Sequence, residues 1–173
     1  MTEFAFHLRP WKKTDARDTA QLLADTVMHV NCRDYMPEQC RVWAQCSGDL
    51  TRWEHSFTEG LAFVAVSDRD GTIVGFGDLH SVSELDRLYV HRDWQGKGVA
   101  SALCAQLESL ARKMGATALS VYASRTAQGF FARRGYRLVR DNTVVRGGIE
   151  LHNAYMILDF ISCGKESSCT QEE

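Results

Sequence analysis

The sequence predicts a mixed α/β fold, a central sheet flanked by helices, with elements in the order β-α-α-β-β-β-α-β-α-β-β. Three stretches carry that prediction. Residues 88–100 read as a short apolar strand, a polar turn, a glycine-containing loop and the start of a long helix. Before them, apolar runs at 61–66 and 73–79 lead into a third at about 84–90, the pattern of an antiparallel meander. After them, two stretches at 136–145 and 149–160 flank Gly147-Gly148, which marks a hairpin.

Taken in order, Phe4, Phe6 and Leu8 alternate in a first strand ending near Pro10. A helix follows from about 14–18, with Thr14 or Asp15 as its cap and Ala16, Ala20, Leu23 and Val27 on its apolar face. Pro37 opens a second helix running past Ala44, and a further short helical piece spans 50–57. Asp34, Tyr35, Glu38, Trp43 and Trp53 give this region an aromatic and acidic character, which suits either sheet packing or the wall of a site that selects a substrate. Asp70-Gly71 turns the first hairpin, since both residues tolerate positive φ. The long helix opens at about Lys97, carries Val99, Leu103, Leu107, Leu110 and Met114 on one face, and stops at Gly115. A strand at 118–122 is followed by a helix capped by Ser124 and ended by Gly135. The sequence reads as one domain over 1–160 with a disordered tail at 161–173, rich in Ser, Glu, Gln and Cys.

Composition narrows the function. A net charge of −2 argues against a general nucleic-acid binder. No apolar run reaches the ~18 residues of a membrane span, and the N-terminus lacks a secretion signal. The six cysteines (32, 40, 46, 104, 163 and 169) form no C-x-x-C pair. They read as reduced thiols in a cytoplasm, with no metal site.

The strand–loop–helix stretch is built to hold phosphate. The first N–H groups of a helix lack internal partners, the helix dipole places positive charge there, and Gly96 and Gly98 remove the Cβ that would block approach. Lys97 adds a full charge. A P-loop is excluded because Gly98 follows Lys97 and His91 stands where the first glycine belongs. A dinucleotide fingerprint is weak, with Ser101 as the third position and no acid ending the strand at 119–122. Gln95-x-x-Gly98-x-Ala100 fits without a gap. It resembles the [QR]-x-x-G-x-[GA] acyl-CoA loop of the GNAT N-acetyltransferase superfamily. Residues 127–136 (AQGFFARRGY) resemble that family's A-x-x-F-Y-x-K-x-G-F helix and turn, and the element order over 4–160 matches as well.

The resemblance implies a mixed, largely antiparallel GNAT sheet and transfer of an acetyl group from acetyl-CoA, as cosubstrate, to a primary amine. The backbone of Leu88, Tyr89 and Val90 would hold the pantetheine arm, with the Val90 N–H polarising the thioester carbonyl. The loop from Gln95 through Gly96, Lys97, Gly98, Val99 and Ala100, with Ser101, would take the pyrophosphate. Ser124 (often asparagine in the family), Phe131 and Arg133 complete the cofactor set. For the base, Glu84 and Asp86 share one strand face by their i, i+2 spacing, with His80 acting through water as a third candidate. In several family members the base falls at the position of Glu84; Asp86 is nearer the cofactor strand end. The family's acid tyrosine is replaced by Phe131, which leaves Tyr122, Tyr136 or water to protonate the thiolate. Cys104 is not marked as an activated nucleophile, so direct attack in a ternary complex is favoured. A small-molecule amine is the expected acceptor, with a monomer or homodimer as the assembly. A protein N-terminal or lysine acetyltransferase and a non-catalytic acyl-CoA-binding module are the alternatives.

Overall fold

The computed structural model describes residues 4–160. The tail expected at 161–173, with Cys163 and Cys169, lies outside them. In chain order the elements are β1 (Phe6–Pro10), α1 (Ala16–His29), α2 (Pro37–Ala44), α3 (Leu50–His55), β2 (Ala62–Ser67), β3 (Ile73–Ser81), β4 (Glu84–Val90), α4 (Val99–Lys113), β5 (Ala118–Ser124), α5 (Arg125–Arg133), β6 (Arg137–Arg146) and β7 (Ile149–Asp159). The short helical piece expected at 50–57 is α3.

The strands form one sheet in the order β1-β2-β3-β4-β5-β7-β6. Every pairing is antiparallel except β4 with β5, which run parallel. That parallel contact is short, joining only Glu84 to Ser120 and Leu85 to Val121. Beyond Leu85 the two strands part, and the sheet opens into a gap.

Helices α1, α2 and α3 cover one face, where Leu23, Val27, Trp53, Val64 and Phe76 form a buried cluster. Helices α4 and α5 cover the other, burying Cys104, Leu107, Leu119, Phe131 and Met156. The buried stripe of α4 is Val99, Leu103, Cys104, Leu107 and Ala111. Met114 falls just past the helix end and stays 46% exposed, so it is not part of that face as the spacing had predicted. Gly75 and Gly77 let α4 approach the sheet, since a Cβ on Gly75 would lie 2.7 Å from Val99 Cγ1 and one on Gly77 3.0 Å from Leu107 Cδ1. Gly75→Ala is therefore expected to cost about 1–3 kcal/mol by overpacking, read as a lower midpoint in urea unfolding.

Four local expectations are corrected. Helix α4 begins at Val99 rather than Lys97, because Gly96 (φ 71°) and Gly98 (φ 86°) both take left-handed backbone and Gly98 is the cap. In the β2–β3 hairpin only Gly71 has positive φ. Asp70 instead accepts hydrogen bonds from the Thr72 N–H (3.1 Å) and hydroxyl (2.7 Å). Neither Thr14 nor Asp15 caps α1 through its side chain: Asp15 binds the Lys12 N–H and forks onto Arg9. At α5, Ser124 occupies the cap position without a side-chain cap bond, and the Tyr35 hydroxyl accepts from the Arg125 N–H at 3.0 Å.

Candidate active site

The gap between β4 and β5 organises the site. β4 carries a bulge at its entrance, where the register steps from Asp78–Arg87 to Leu79–Leu85 and leaves Asp86 as the extra residue. The bulge breaks the strand's alternation. Leu85, Leu88 and Val90 turn toward the α4 side. Arg87 lies over the Trp53 and Phe57 rings and Tyr89 stacks on Phe76, both on the opposite face. Asp86 is left at the opening, its side chain 46% exposed and its Oδ2 3.5 Å from Arg87 Nε.

Arg87 is itself fixed. It makes a buried double contact with Asp78 and donates from Nη1 to Ser56 Oγ at 2.8 Å. Burial pushes the Asp78 carboxyl up, to about 6, against the opposing pull of Arg87. This ion pair pins the bulge, and with it the position of Asp86.

Past the bulge, the His91 N–H bonds to Val74 O at 2.8 Å. Polar backbone groups alternate in direction along a strand, so those of Val90 and Leu88 are turned away from β3 and toward the gap. The Val90 carbonyl there accepts from Gln95 Nε2 (2.7 Å) and Thr26 Oγ1 (3.1 Å). The Gln95 side chain thus ties the loop to the end of β4. The first bond within α4 runs from the Ala102 N–H to Gly98 O, which leaves the N–H groups of Val99, Ala100 and Ser101 without a carbonyl one turn back. Lys97 Nζ stands 4.0 Å over the Phe4 ring.

Two clefts open from the gap. One, of about 190 Å³, lies between the ends of β4 and β5 and reaches Gln95, Ala100 and Phe131. The other, of about 600 Å³, lies under α2 and α3 and is walled by Tyr35, Trp53, Arg87, Arg146 and His152. Both are lined by Trp43, Asp86, Tyr89, Tyr122 and Ser124. These five residues mark where a group held in one cleft meets a group held in the other.

The geometry matches what comparison finds. The model of the GNAT acetyltransferase domain matches residues 31–158. The chain belongs to the GNAT family of acetyltransferases. It is an enzyme of the acetyl-CoA-dependent kind that the family comprises. An uncharacterised N-acetyltransferase of Escherichia coli (strain K12), YafP, is 29% identical over 150 residues, spanning 86% of this chain and 93% of that one. The crystal structure of a GCN5-related N-acetyltransferase from Rhodopseudomonas palustris superposes with a TM-score of 0.85 at 34% identity, covering 92% of this chain and 99% of that one. PaiA N-acetyltransferase of Thermoplasma acidophilum, solved with coenzyme A, shares the fold at 16% identity (TM-score 0.72, covering 90% of this chain and 99% of that one).

The GNAT residues expected from sequence divide between the smaller cleft, the start of α4 and positions outside both. Asp86, Leu88, Tyr89, Val90, Gln95, Ala100, Tyr122, Ser124 and Phe131 line the smaller cleft. Gly96, Lys97, Gly98 and Ser101 are exposed around the α4 N-terminus, where Val99 is buried, and Arg133 is exposed on α5. Glu84 lies where β4 and β5 are still paired, opposite Ser120, and lines neither cleft. His80 is exposed near the far end of β3. Tyr136 is buried and donates to Glu108 Oε1 at 3.2 Å, within the layer beneath α4. Cys104 is buried beside the same carboxylate, and burial followed by the Glu108 charge pushes its thiol up to about 12. It has no character of an activated nucleophile.

The cleft fits acetyl-CoA on two counts. The helix terminus offers unpartnered N–H donors with no Cβ at Gly96 or Gly98, and the gap presents the Val90 backbone to whatever lies beside it. Several lining residues had no sequence signal. Thr126, whose buried hydroxyl finds no partner among the described residues, lines the same cleft from the start of α5. Asn142, Val144, Arg146 and His152 reach the larger cleft from the C-terminal hairpin.

Proposed function

We propose that this GNAT enzyme moves an acetyl group from acetyl-CoA to the primary amine of a small molecule by direct attack in a ternary complex, in the cytoplasm. The observation that carries the reading is the meeting of two clefts at Asp86, Tyr89, Tyr122, Trp43 and Ser124 in the β4–β5 gap. Acetyl-CoA supplies the thioester and its acetyl group. The free N–H groups at the start of α4 hold its pyrophosphate, with the helix dipole behind them. The Val90 N–H donates to the carbonyl oxygen as negative charge grows there. Asp86 takes the proton from the incoming ammonium, directly or through a water. Tyr122, 40% exposed at the junction, is the hydroxyl available to return one to the departing thiolate. Phe131, buried at 2%, packs and does not donate.

A small acceptor is favoured over a protein chain because the α1–α3 side is bridged to the C-terminal hairpin. The Tyr35 hydroxyl donates to His152 O at 2.6 Å and Gln39 Nε2 to Glu150 O at 2.7 Å. The first contact ties together two walls of the larger cleft, and the second ties α2 to β7 beside it. Monomer and homodimer are both compatible with this site.

Calorimetric titration of acetyl-CoA tests the cofactor half. Wild type is expected to bind saturably. Gly98→Glu places a carboxylate at the helix start, in backbone that only glycine adopts freely, and is expected to weaken binding by about tenfold to a hundredfold. Equal affinity in the two proteins would remove α4 from the site.

A further inference from the structure

The larger cleft has a charge imbalance that a plain amine would not match. Its ionisable wall contains one carboxylate, Asp86, against Arg52, Arg87 and Arg146, with His152 beside them. Arg87 is answered by its buried partner Asp78. Among the described residues, Arg52 and Arg146 make no ion pair and no side-chain hydrogen bond. The carboxylate nearest Arg52 in sequence, Asp49, accepts from the Arg52 backbone N–H at 3.0 Å, as the cap of α3. The charge on Arg146 is felt at Cys46 and Tyr89, where it opposes the upward push that burial gives both groups. It therefore acts into the cleft as well as toward solvent.

The layout separates the two signs. Asp86 sits at the junction with the cofactor cleft. Asn142 lies across from Asn153, which is in turn paired with the junction residue Ser124. Arg146 follows four residues later on β6, about 13 Å along the strand at ~3.3 Å per residue. Arginine side chains reach back over part of that span, and their fork matches a carboxylate or a phosphate with two parallel hydrogen bonds. Two unanswered guanidinium groups repel an amine that carries no negative charge.

The geometry points to an acceptor that is a small primary amine bearing an anionic group, its ammonium at Asp86 and its carboxylate or phosphate between Arg52 and Arg146. This rests on the acetyl-transfer reading above and adds the class of acceptor to it. Arg52 and Arg146 are then specificity-determining residues, acting on binding and not on the transfer step.

The test uses product-like probes, which need no turnover. N-acetyl-alanine, N-acetyl-alanyl-alanine and N-acetyl-phosphoethanolamine are titrated calorimetrically into the protein, with and without CoA. Each is matched by a neutral partner: the two C-terminal amides and N-acetyl-ethanolamine. At least one charged probe is expected to bind tenfold or more tighter than its neutral partner. Arg146→Gln should abolish that preference and Arg52→Gln should reduce it, with CoA affinity unchanged in both. The carboxylate and phosphate arms tell the two anions apart. Equal binding within every pair, no saturable binding of any charged probe, or a preference that survives the double variant Arg52→Gln/Arg146→Gln each overturns the inference. Failure of CoA to bind wild type would instead sink the acetyl-transfer reading, and it is read in a separate titration.

Discussion

Asp86→Asn is expected to lower kcat by about 10²–10⁴-fold, the range for loss of a general base, while leaving acetyl-CoA affinity within about twofold. Glu84→Gln is expected to change kcat by less than about threefold. The contrast comes from where β4 leaves β5. Glu84 is still paired across to Ser120, whereas Asp86 is the bulged residue at the first position beyond the parallel contact. Asparagine keeps the size of the side chain and its contact with Arg87 but cannot accept a proton. A variant that keeps wild-type kcat would remove Asp86 from the chemistry.

The second large effect is on stability. Arg87→Met leaves Asp78, 1% exposed, without its cation, and removing one member of a buried pair costs about 3–5 kcal/mol. The cost should depend on pH, and its sign follows from Asp78. Burial already raises this carboxyl to about 6 in the folded protein, above its ordinary 3.8, even against Arg87. Without Arg87 it rises further. A group whose folded pKa is raised contributes stability at low pH and loses it as pH climbs through that value. Urea unfolding of Arg87→Met should therefore show a larger deficit at pH 8 than at pH 5, where protonation relieves the buried charge. The double variant Asp78→Leu/Arg87→Met should recover most of the loss, because a well-packed apolar pair carries no desolvation penalty. A deficit independent of pH, with no recovery in the double variant, would mean that Arg87 acts by packing on Trp53 and Phe57 and not by charge.

Much of the fold was legible because its signals are local. The β2–β3–β4 meander, the glycine-rich loop before α4 and the Gly147-Gly148 hairpin are each written within a few consecutive residues, and the fold forms each of them, with α4 opening two residues later than Lys97. The misread caps show the limit of that approach. Asp15 and Ser124 are both good cap residues by type, but Arg9 claims the first and a tyrosine ninety positions away answers the backbone beside the second. Such partners are chosen by tertiary packing, which no local pattern records. Gly75 and Gly77 carried no turn signal, because their purpose is the close approach of α4 and not a backbone angle.

The candidate site divides the same way. The loop from Gln95 to Ala100 was readable as a phosphate cradle from helix physics alone. The choice between Glu84 and Asp86 was not, since their spacing puts both on one strand face. What distinguishes them is a bulge set by the register of β4 against β3, a property of two strands together. The larger cleft was the least legible part. Arg52 and Arg146 come from opposite halves of the chain, and each looks like an ordinary surface arginine until the fold sets both on the wall of one cleft.

The most direct test of the account is steady-state CoA release at varied acetyl-CoA and varied amine, with product identified by mass. The account predicts release that requires an amine, a product heavier by one acetyl group, and intersecting double-reciprocal lines from a ternary complex. Parallel lines, or CoA release unchanged when the amine is left out, would contradict direct transfer at the junction of the two clefts.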